Sequence, residues 1–298
     1  MRVLVTGGSG FLGTRLKNKK PEWHYISSKQ YDLTDPKQVK CMLFDYTPDA
    51  IVHLAARVGG IKDNSENQAD FYHINTMINT NILQQSHNFG IQRILSSLST
   101  CAFPDKVENY PFYEKDLFLG SPAKTNFSYG MTKRMLQVGS VSYRKQYNRN
   151  YSTFCPSNIY GPSDHFDSEN SHFVASLISK VANAKNGDTL YFWGTGKPMR
   201  QQLYVDDLCD MIPMLLKRHN TDCPLIVAPD ENLTIKQMVD TMVKYSGKDI
   251  KVIFDGKLDG QFRKDGSNEK LKDILPNYRF TNFYDGIINT YEWYLENK

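Results

Sequence analysis

The sequence predicts an α/β protein built on a Rossmann-type, doubly wound parallel sheet, with a smaller and discontinuous C-terminal lobe. Three observations predict it: an apolar strand at residues 2–6, a glycine-rich turn directly after it, and an alternation of further apolar strands with helical patterns up to residue 162. Short apolar runs are typical of strands buried on both faces, and their alternation with helices is typical of a parallel sheet.

The predicted elements follow one another along the first half of the chain. Further strands are expected at residues 24–27, 50–54, 91–97 and 153–156, and helices are expected from residue 14, at 35–44, at 71–89 and at 126–147. Apolar residues recur at helical spacing in the segment 71–89, which supports that helix. Residues 158–162 are expected to form a loop.

Beyond Pro162 the alternation weakens. A helix is expected at residues 171–185, and isolated strands at 190–193 and 252–254, whereas residues 203–227 again have the pattern of the sheet domain. We therefore predict a sheet domain of residues 1–162, joined by 203–228, and a smaller lobe within residues 163–298.

Composition and charge exclude several classes of function. The 298 residues carry a net charge of +4 with scattered basic residues, which does not favour nucleic-acid or membrane-surface binding but is compatible with small anions such as pyrophosphates. Five cysteines without a CxxC spacing indicate neither a disulfide framework nor a metal site. Since no apolar run approaches the roughly 20 residues of a membrane helix and no signal-peptide core follows Arg2, a reducing, cytoplasmic setting is expected.

The glycine-rich turn has the pattern GxxGxxG, formed by Gly7, Gly10 and Gly13. Phe11 and Leu12 lie between the second and third of these glycines. One glycine permits the tight turn, one lets backbone amides approach a pyrophosphate, and one allows close packing of helix and strand. The alternative is an ordinary glycine-rich turn. Because the pattern lies between a strand and a helix, it predicts a dinucleotide site at a helix N-terminus.

The end of the second strand predicts the type of dinucleotide. Enzymes that prefer NAD place an acidic residue there, but this chain has Ser27, Ser28 and Lys29. Hydroxyl groups and an ammonium suit a 2′-phosphate, so the predicted cofactor is NADPH. A solvated loop lysine is the alternative. Asp32 and Leu33 are candidates for contact with the adenine.

Tyr129 and Lys133 are spaced i, i+4, which places both on one face of a helix. A phenol has a pKa of about 10, and an adjacent ammonium is expected to lower it toward the range of a proton shuttle. Ser99, after the preceding strand, can hydrogen-bond a substrate carbonyl or the phenol. Such a pair alone would more often be solvated, but the upstream serine and the glycine turn favour a catalytic role.

The order of motifs along the chain is similar to that of the extended short-chain dehydrogenase/reductase family. The shared motifs are TGGxGxxG, HLAA, ST, YxxxK and NIYGP. More narrowly, the chain resembles the branch that makes GDP-L-fucose, and the segments that carry this are 58–61, 99–106, 170–172, 193–200 and 259–264. The resemblance runs from Arg2 nearly to Lys298. It implies that the sheet domain binds NADP and that the smaller lobe binds a nucleotide sugar.

The resemblance also implies the residues that contact the cofactor. Besides the glycine turn, Ser28, Lys29, Asp32, Leu33, Tyr129 and Lys133, they are Leu54, Ala55, Ala56, Leu98, Pro156, Asn158, Ile159 and His172.

Cys101 and His172 are the candidate epimerising pair. In a 4-keto sugar the protons at C3 and C5 are acidic, and inversion needs a base on one face and an acid on the other. Cys101 lies two residues from Ser99, and a histidine changes charge near neutral pH. The resemblance implies Cys101 as base and His172 as acid, with Tyr129 protonating C4 during reduction. A buried core cysteine and a structural histidine are the alternatives.

A GDP-sugar carries a pyrophosphate, so arginine and lysine should line the second lobe. By resemblance the substrate-binding candidates are Lys180, Trp193, Arg200, Asp259 and Lys264. The chain departs from the family pattern at Gln202, at residues 226–229 and in a trimmed first helix, which bears on loop geometry and guanine specificity.

The resemblance implies conversion of GDP-4-keto-6-deoxymannose to GDP-L-fucose with NADPH. Two alternative functions are also consistent with the sequence. One is a related epimerase/reductase that acts on another 4-keto sugar nucleotide, such as one making GDP-colitose, and the other is a dinucleotide-binding sensor without catalysis. The apolar stripes of residues 71–89 and 126–147 either belong to the core or pair with a second copy, so a homodimer is expected.

Overall fold

Strands alternate with segments of one or two helices through residue 156, and the computed structural model describes residues 1–166, 171–257, 259 and 261–298. The strands are β1 (Val3–Thr6), β2 (His24–Ile26), β3 (Ala50–His53), β4 (Arg93–Ser97), β5 (Asn150–Pro156), β6 (Asn158–Tyr160), β7 (Thr189–Phe192), β8 (Met199–Arg200), β9 (Gln202–Tyr204), β10 (Leu225–Val227), β11 (Leu233–Thr234), β12 (Lys251–Phe254) and β13 (Arg263–Lys264). The α-helices are α1 (Phe11–Lys19), α2 (Pro36–Tyr46), α3 (Ile61–Glu66), α4 (Gln68–Asn88), α5 (Phe127–Tyr147), α6 (Phe173–Asn183), α7 (Val205–Arg218), α8 (Ile235–Ser246), α9 (Glu269–Ile274) and α10 (Phe283–Asn297).

The central sheet is parallel, with its strands in the order β2-β1-β3-β4-β5-β10. This confirms the predicted Rossmann-type sheet. The strand order reverses between β1 and β3, and ligands of such sheets bind in the crevice at the carboxyl ends of the strands on either side of that reversal. The glycine turn after β1 lies at this position.

Alternate residues of the strands pack into two separate cores. Leu4 of β1 packs with side chains of α2, α4 and α5 on one face of the sheet. Its neighbours Val3 and Val5 pack with α1, α7 and α9 on the other face. Since successive side chains of a strand point to opposite faces, one strand supplies both cores, which explains why β1 is entirely apolar up to Thr6.

The second lobe has its own apolar core, formed by α6, α8 and α10 around Tyr160 and Tyr204. Small sheets surround it: β7 pairs with β12, and β8 lies between β11 and β13. β6 pairs with β9, so the expectation of a loop over residues 158–162 is wrong for residues 158–160. The partner strand lies more than 40 residues away, and the local sequence gives no sign of that pairing.

Several helices differ from the sequence-based expectation. α1 begins at Phe11, inside the glycine pattern, because Gly10 already has extended backbone angles and acts as the N-cap. α3, α8, α9 and α10 were not predicted at all. None of the helices in the described part of the chain is both long and apolar enough to cross a membrane.

Candidate active site

The glycine turn is built so that backbone amides meet an anion. Gly7 has φ +75°, and a Cβ atom there would lie 2.9 Å from the nitrogen of Ala55. At Gly13 a Cβ atom would lie 2.2 Å from the carbonyl oxygen of Gly7. Because no side chain caps α1 after Gly10, its first N–H groups are free to bind a phosphate. The turn therefore fits a pyrophosphate, as the sequence predicts.

Beneath the turn, a buried polar network joins β1 to β3. The Thr6 hydroxyl lies 2.8 Å from Nδ1 of His53, and Nε2 of His53 lies 3.1 Å from Oδ1 of Asn79. The amides of Leu54 and Ala55 both donate to the Thr6 hydroxyl. Burial, aided by the charge of Lys133, lowers the pKa of His53 to about 4, so the ring is neutral. Nε2 then donates to Asn79 and Nδ1 accepts from Thr6, which fixes the strand ends that face the cofactor.

One cavity of about 1940 Å³ runs from the glycine turn to the second lobe. This volume exceeds the roughly 300–1,000 Å³ of a site for one small ligand, so a dinucleotide and a nucleotide sugar fit together. The predicted residues that line it are Gly7, Gly10, Phe11, Leu12, Gly13, Ser28, Asp32, Leu33, Leu54, Ala55, Ala56, Leu98, Ser99, Cys101, Tyr129, Lys133, Pro156, Asn158, Ile159, His172, Lys180, Trp193, Arg200, Asp259 and Lys264.

Lys29 differs from the other predicted residues because it is absent from this lining. It is exposed on a turn that Gln30 closes by accepting hydrogen bonds from the amide and hydroxyl of Ser27. Ser28, its neighbour, does line the cavity. The structure therefore supports a contact of the Ser28 hydroxyl with the 2′-phosphate. It does not bring the Lys29 ammonium to the cavity.

Tyr129 and Lys133 lie one turn apart on α5, as the spacing predicts. Nζ of Lys133 donates to the carbonyl oxygen of Ser97 at 2.7 Å and lies 5.7 Å from the centroid of the Tyr129 ring. Burial, with the nearby Cys101, raises the pKa of Tyr129 despite a hydrogen bond from Ser99. The expected lowering of this pKa is therefore wrong for this arrangement, because the ammonium contacts a backbone carbonyl. A phenol that keeps its proton at neutral pH is suited to act as an acid.

Cys101 lies in a short 3₁₀ helix (Thr100–Ala102) directly after β4. Nζ of Lys264 donates to its sulfur at 3.1 Å. Burial opposes ionisation, but the charge and hydrogen bond of Lys264, with hydrogen bonds from Ser99 and Asn126, lower the pKa of Cys101 overall. A thiol beside a cation and partly open to a cavity is the environment of a reactive cysteine. Lys264 thus contacts the predicted base, and Asn126 is a further contact that the sequence did not indicate.

His172 precedes α6 and opens into the same cavity. Its Nδ1 lies 3.7 Å from Oδ1 of Asp164, a buried carboxylate that the sequence analysis did not single out. Neither residue lies in a strand or helix, so no spacing indicates that they meet. Asn170, which belongs to the segment that suggested His172, lies outside the described residues.

The remaining substrate candidates surround the outer part of the cavity. Nζ of Lys180 lies 5.0 Å from the centroid of the Phe192 ring, and the Trp193 side chain is 84% exposed. Burial lowers the pKa of Arg200, whose Nη1 donates to the carbonyl of Met199. Asp259 accepts hydrogen bonds from the amide and hydroxyl of Thr195, so it fixes the turn after Trp193.

Two glutamines of the second half of the chain differ in position, and only Gln202 was among the predicted departures from the family pattern. Gln202 is buried, its amide contacts Met238 in the core of the second lobe, and it does not line the cavity. Gln261 lines the cavity and donates to the carbonyl of Asp105 at 2.6 Å, which joins the second lobe to the loop after Cys101. Gly260, beside it in the segment 259–264, lies outside the described residues.

Comparison with known proteins identifies relatives over nearly the whole chain. Residues 3–227 match the family described as the NAD dependent epimerase/dehydratase family. A probable GDP-L-fucose synthase of Drosophila melanogaster is 35% identical over 99% of this chain and 98% of its own length. A GDP-L-colitose synthase of Yersinia pseudotuberculosis is 28% identical over 100% of this chain and 99% of its own.

Among solved structures, a GDP-L-fucose synthetase of Naegleria fowleri bound to NADP is 33% identical, with a TM-score of 0.88 over 99% of this chain and 92% of that one. The likeness covers both the sheet domain and the second lobe. The chain therefore belongs to the NAD dependent epimerase/dehydratase family, in the branch that contains the GDP-L-fucose synthases.

Proposed function

We propose that the protein converts GDP-4-keto-6-deoxymannose to GDP-L-fucose by epimerisation at C3 and C5 and NADPH-dependent reduction at C4. One observation carries this proposal: Cys101, His172 and Tyr129 open into the same cavity, which the glycine turn also enters. A reductase needs only the tyrosine and the turn. The added thiol and imidazole supply the two proton carriers that inversion of a carbon centre requires.

The residues present fit NADP at the carboxyl end of the sheet. The pyrophosphate is assigned to the amides after Gly10, the adenosine end to Ser28, Asp32 and Leu33, and the nicotinamide end to the region of Leu98, Pro156 and Asn158. When bound, the reduced cofactor supplies a hydride to C4 of the sugar. The bound NADP of the Naegleria relative supports this choice of cofactor.

Epimerisation is assigned to the two side chains with opposite charge. The Cys101 thiolate takes the proton from C3 or C5, and the electron pair of that C–H bond moves into the enolate of the C4 ketone. His172 gives its proton to the other face of the same carbon. A thiol is then left beside Lys264, and a neutral imidazole beside Asp164, so each must exchange a proton with solvent before the second inversion.

Reduction is assigned to Tyr129, which delivers its proton to the C4 oxygen. Its raised pKa keeps that proton in place until the alkoxide forms. Ser99 is placed to hydrogen-bond the phenol. Lys133, anchored on Ser97, holds a positive charge beneath the ring.

The second lobe is assigned to the nucleotide sugar. Lys180 and Arg200 supply positive charge for its pyrophosphate, and Trp193 offers an exposed ring on which the base or sugar can pack. We further propose residues 1–162 with 203–228 as the cofactor domain, 163–298 as the substrate lobe, and a cytoplasmic homodimer. Exposed apolar side chains on α4 and α5, such as Tyr72 and Met135, support the dimer.

The proposal is tested by adding GDP-4-keto-6-deoxymannose to the protein with NADPH and following NADPH oxidation, with the product's configuration at C3 and C5 determined by NMR. We expect GDP-L-fucose from the natural chain and no NADPH oxidation by Tyr129→Phe. If only a 3,6-dideoxy-4-keto substrate is reduced, the protein is a colitose-type enzyme. If no keto sugar consumes NADPH, it is a dinucleotide-binding protein without this catalysis.

A further inference from the structure

Asp164 is buried against His172, the only basic side chain paired with it in the part of the chain that the structure describes. The Asp164 side chain is 1% exposed, whereas that of His172 is 58% exposed toward the cavity. Its Oδ1 accepts the backbone N–H of His165 at 2.8 Å and lies 3.7 Å from Nδ1 of His172. Its Oδ2 is buried and has no hydrogen-bond partner among the residues that the structure describes.

A buried carboxylate with a single amide donor is costly unless a cation lies beside it. The imidazolium form of His172 supplies that cation, and the neutral form does not. The carboxylate therefore favours the protonated ring. Since Nδ1 faces Asp164, Nε2 is the nitrogen left to face a ligand in the cavity.

The other charged groups near His172 act in both directions. The ion pair with Asp164 and the charge of Cys101 raise the pKa of His172, while burial and the charge of Lys264 lower it, and the net shift is upward. The Lys264 ammonium in turn contacts the sulfur of Cys101. The cavity thus holds two pairs of opposite polarity, a thiol beside an ammonium and an imidazole beside a carboxylate.

We propose that Asp164 is a positioning residue for the epimerisation: it orients the His172 ring through Nδ1 and holds it protonated, with Nε2–H directed at the sugar. This inference rests on the proposed function. Asp164 thus favours the charged form of the acid before substrate arrives, and Lys264 favours the thiolate form of the base. One proton is accepted on one face of the carbon and one is delivered on the other, without a prior transfer between the two residues.

The test compares the natural chain with Asp164→Asn, which keeps the shape and removes the charge. The imidazole of His172 is titrated by NMR, with its signal assigned from His172→Gln, and deuterium uptake at C3 and C5 is followed in D₂O across pH. We expect the midpoint of the His172 titration and the pH above which the exchange rate declines to fall together by about one pH unit in Asp164→Asn. Above that pH, the exchange rate of the variant should be about tenfold lower than that of the natural chain. Asp164→Glu should restore part of the shift, and NADPH affinity should stay the same.

The surface variant Asp240→Asn, which loses only the exposed pair with Lys236, is the control and should match the natural chain. Unchanged titration and unchanged exchange in Asp164→Asn overturn the inference. If Asp164→Asn does not fold, the titration of His172 in the natural chain is the test. A His172 pKa at or below its ordinary value contradicts the inference, and a higher one supports it. Failure of the proposed function gives a different result from failure of this inference, namely no NADPH oxidation and no exchange in the natural chain. The imidazole titration needs no substrate, so it tests the role of Asp164 independently.

Discussion

Nζ of Lys133 donates a hydrogen bond to the carbonyl oxygen of Ser97 at 2.7 Å, which fixes the ammonium at the end of β4 rather than on the Tyr129 hydroxyl. Burial lowers the pKa of Lys133 to about 8 and raises that of Tyr129. The arrangement of the pair suits the proposed reduction. In that proposal the tyrosine keeps its proton until it is delivered, and the lysine places a positive charge where negative charge develops on the phenol as the proton leaves.

The charge of Lys133 should appear in the pH dependence of reduction. Because its pKa in the folded protein is about 8, the charged form predominates below that pH and is lost above it. We expect the rate of NADPH oxidation to decline as pH rises through about 8, and Lys133→Met to lose about 10²-fold or more at neutral pH. Rates of Lys133→Arg across pH check the cause, since a guanidinium stays charged. A decline near pH 8 that persists in Lys133→Arg would contradict it.

Replacement of the thiol should separate the two reactions. In Cys101→Ser we expect deuterium uptake at C3 and C5 to fall by about 10²-fold or more, because a hydroxyl beside Lys264 does not ionise at neutral pH. The affinity for NADPH, measured by fluorescence, should not change, since the cysteine lies away from the glycine turn. Cys41→Ser, at an exposed position on α2, serves as the control. Exchange at the natural rate in Cys101→Ser would remove Cys101 from the mechanism.

The sequence was sufficient for the sheet domain because local patterns encode it. β1 is an apolar run, the glycine turn needs glycine for steric reasons at Gly13, and Tyr129 and Lys133 meet through helix periodicity alone. The second lobe was harder because its short strands pair across long separations, as β6 does with β9. α8 carried a signal that could have been used, namely a capping box at Thr234 and Gly247 at its C-terminus.

The partners of the site residues depended on tertiary structure. Lys264 reaches Cys101 from 163 residues away, and its contact with the sulfur follows from the folding of one lobe against the other. The Asp164–His172 pair joins two residues in irregular segments, where periodicity gives no information. Sequence reasoning named the candidate reactive groups, and their contacts with Lys264 and Asp164 became visible only in three dimensions.

Gly13 should tolerate no side chain. A Cβ atom there would lie 2.2 Å from the Gly7 carbonyl oxygen, which belongs to the backbone and cannot rotate away. We expect Gly13→Ala to lower the free energy of unfolding by about 2 kcal/mol and to weaken NADPH binding. The helical control is Gly139→Ala, whose Cβ would meet only the end of the Leu83 side chain, so its stability should change by less than about 1 kcal/mol. Urea unfolding and NADPH titration of both variants provide the comparison. Equal stability of the two variants would contradict the steric argument.

The proposed dimer depends on apolar side chains that α4 and α5 leave exposed. Met135 and Val138 are 56% and 40% exposed on α5, and Tyr72 is 57% exposed on α4. Because a stable interface buries about 800 Å² from each partner, a shared face of two long helices is large enough to form one. Met135→Glu would place a charge on that face, so we expect light scattering to give twice the mass of the chain for the natural protein and the mass of one chain for the variant. Leu295→Glu, at a side chain 49% exposed on α10, should remain dimeric. A natural chain that is monomeric at micromolar concentration would instead show that these side chains do not pair with a second copy.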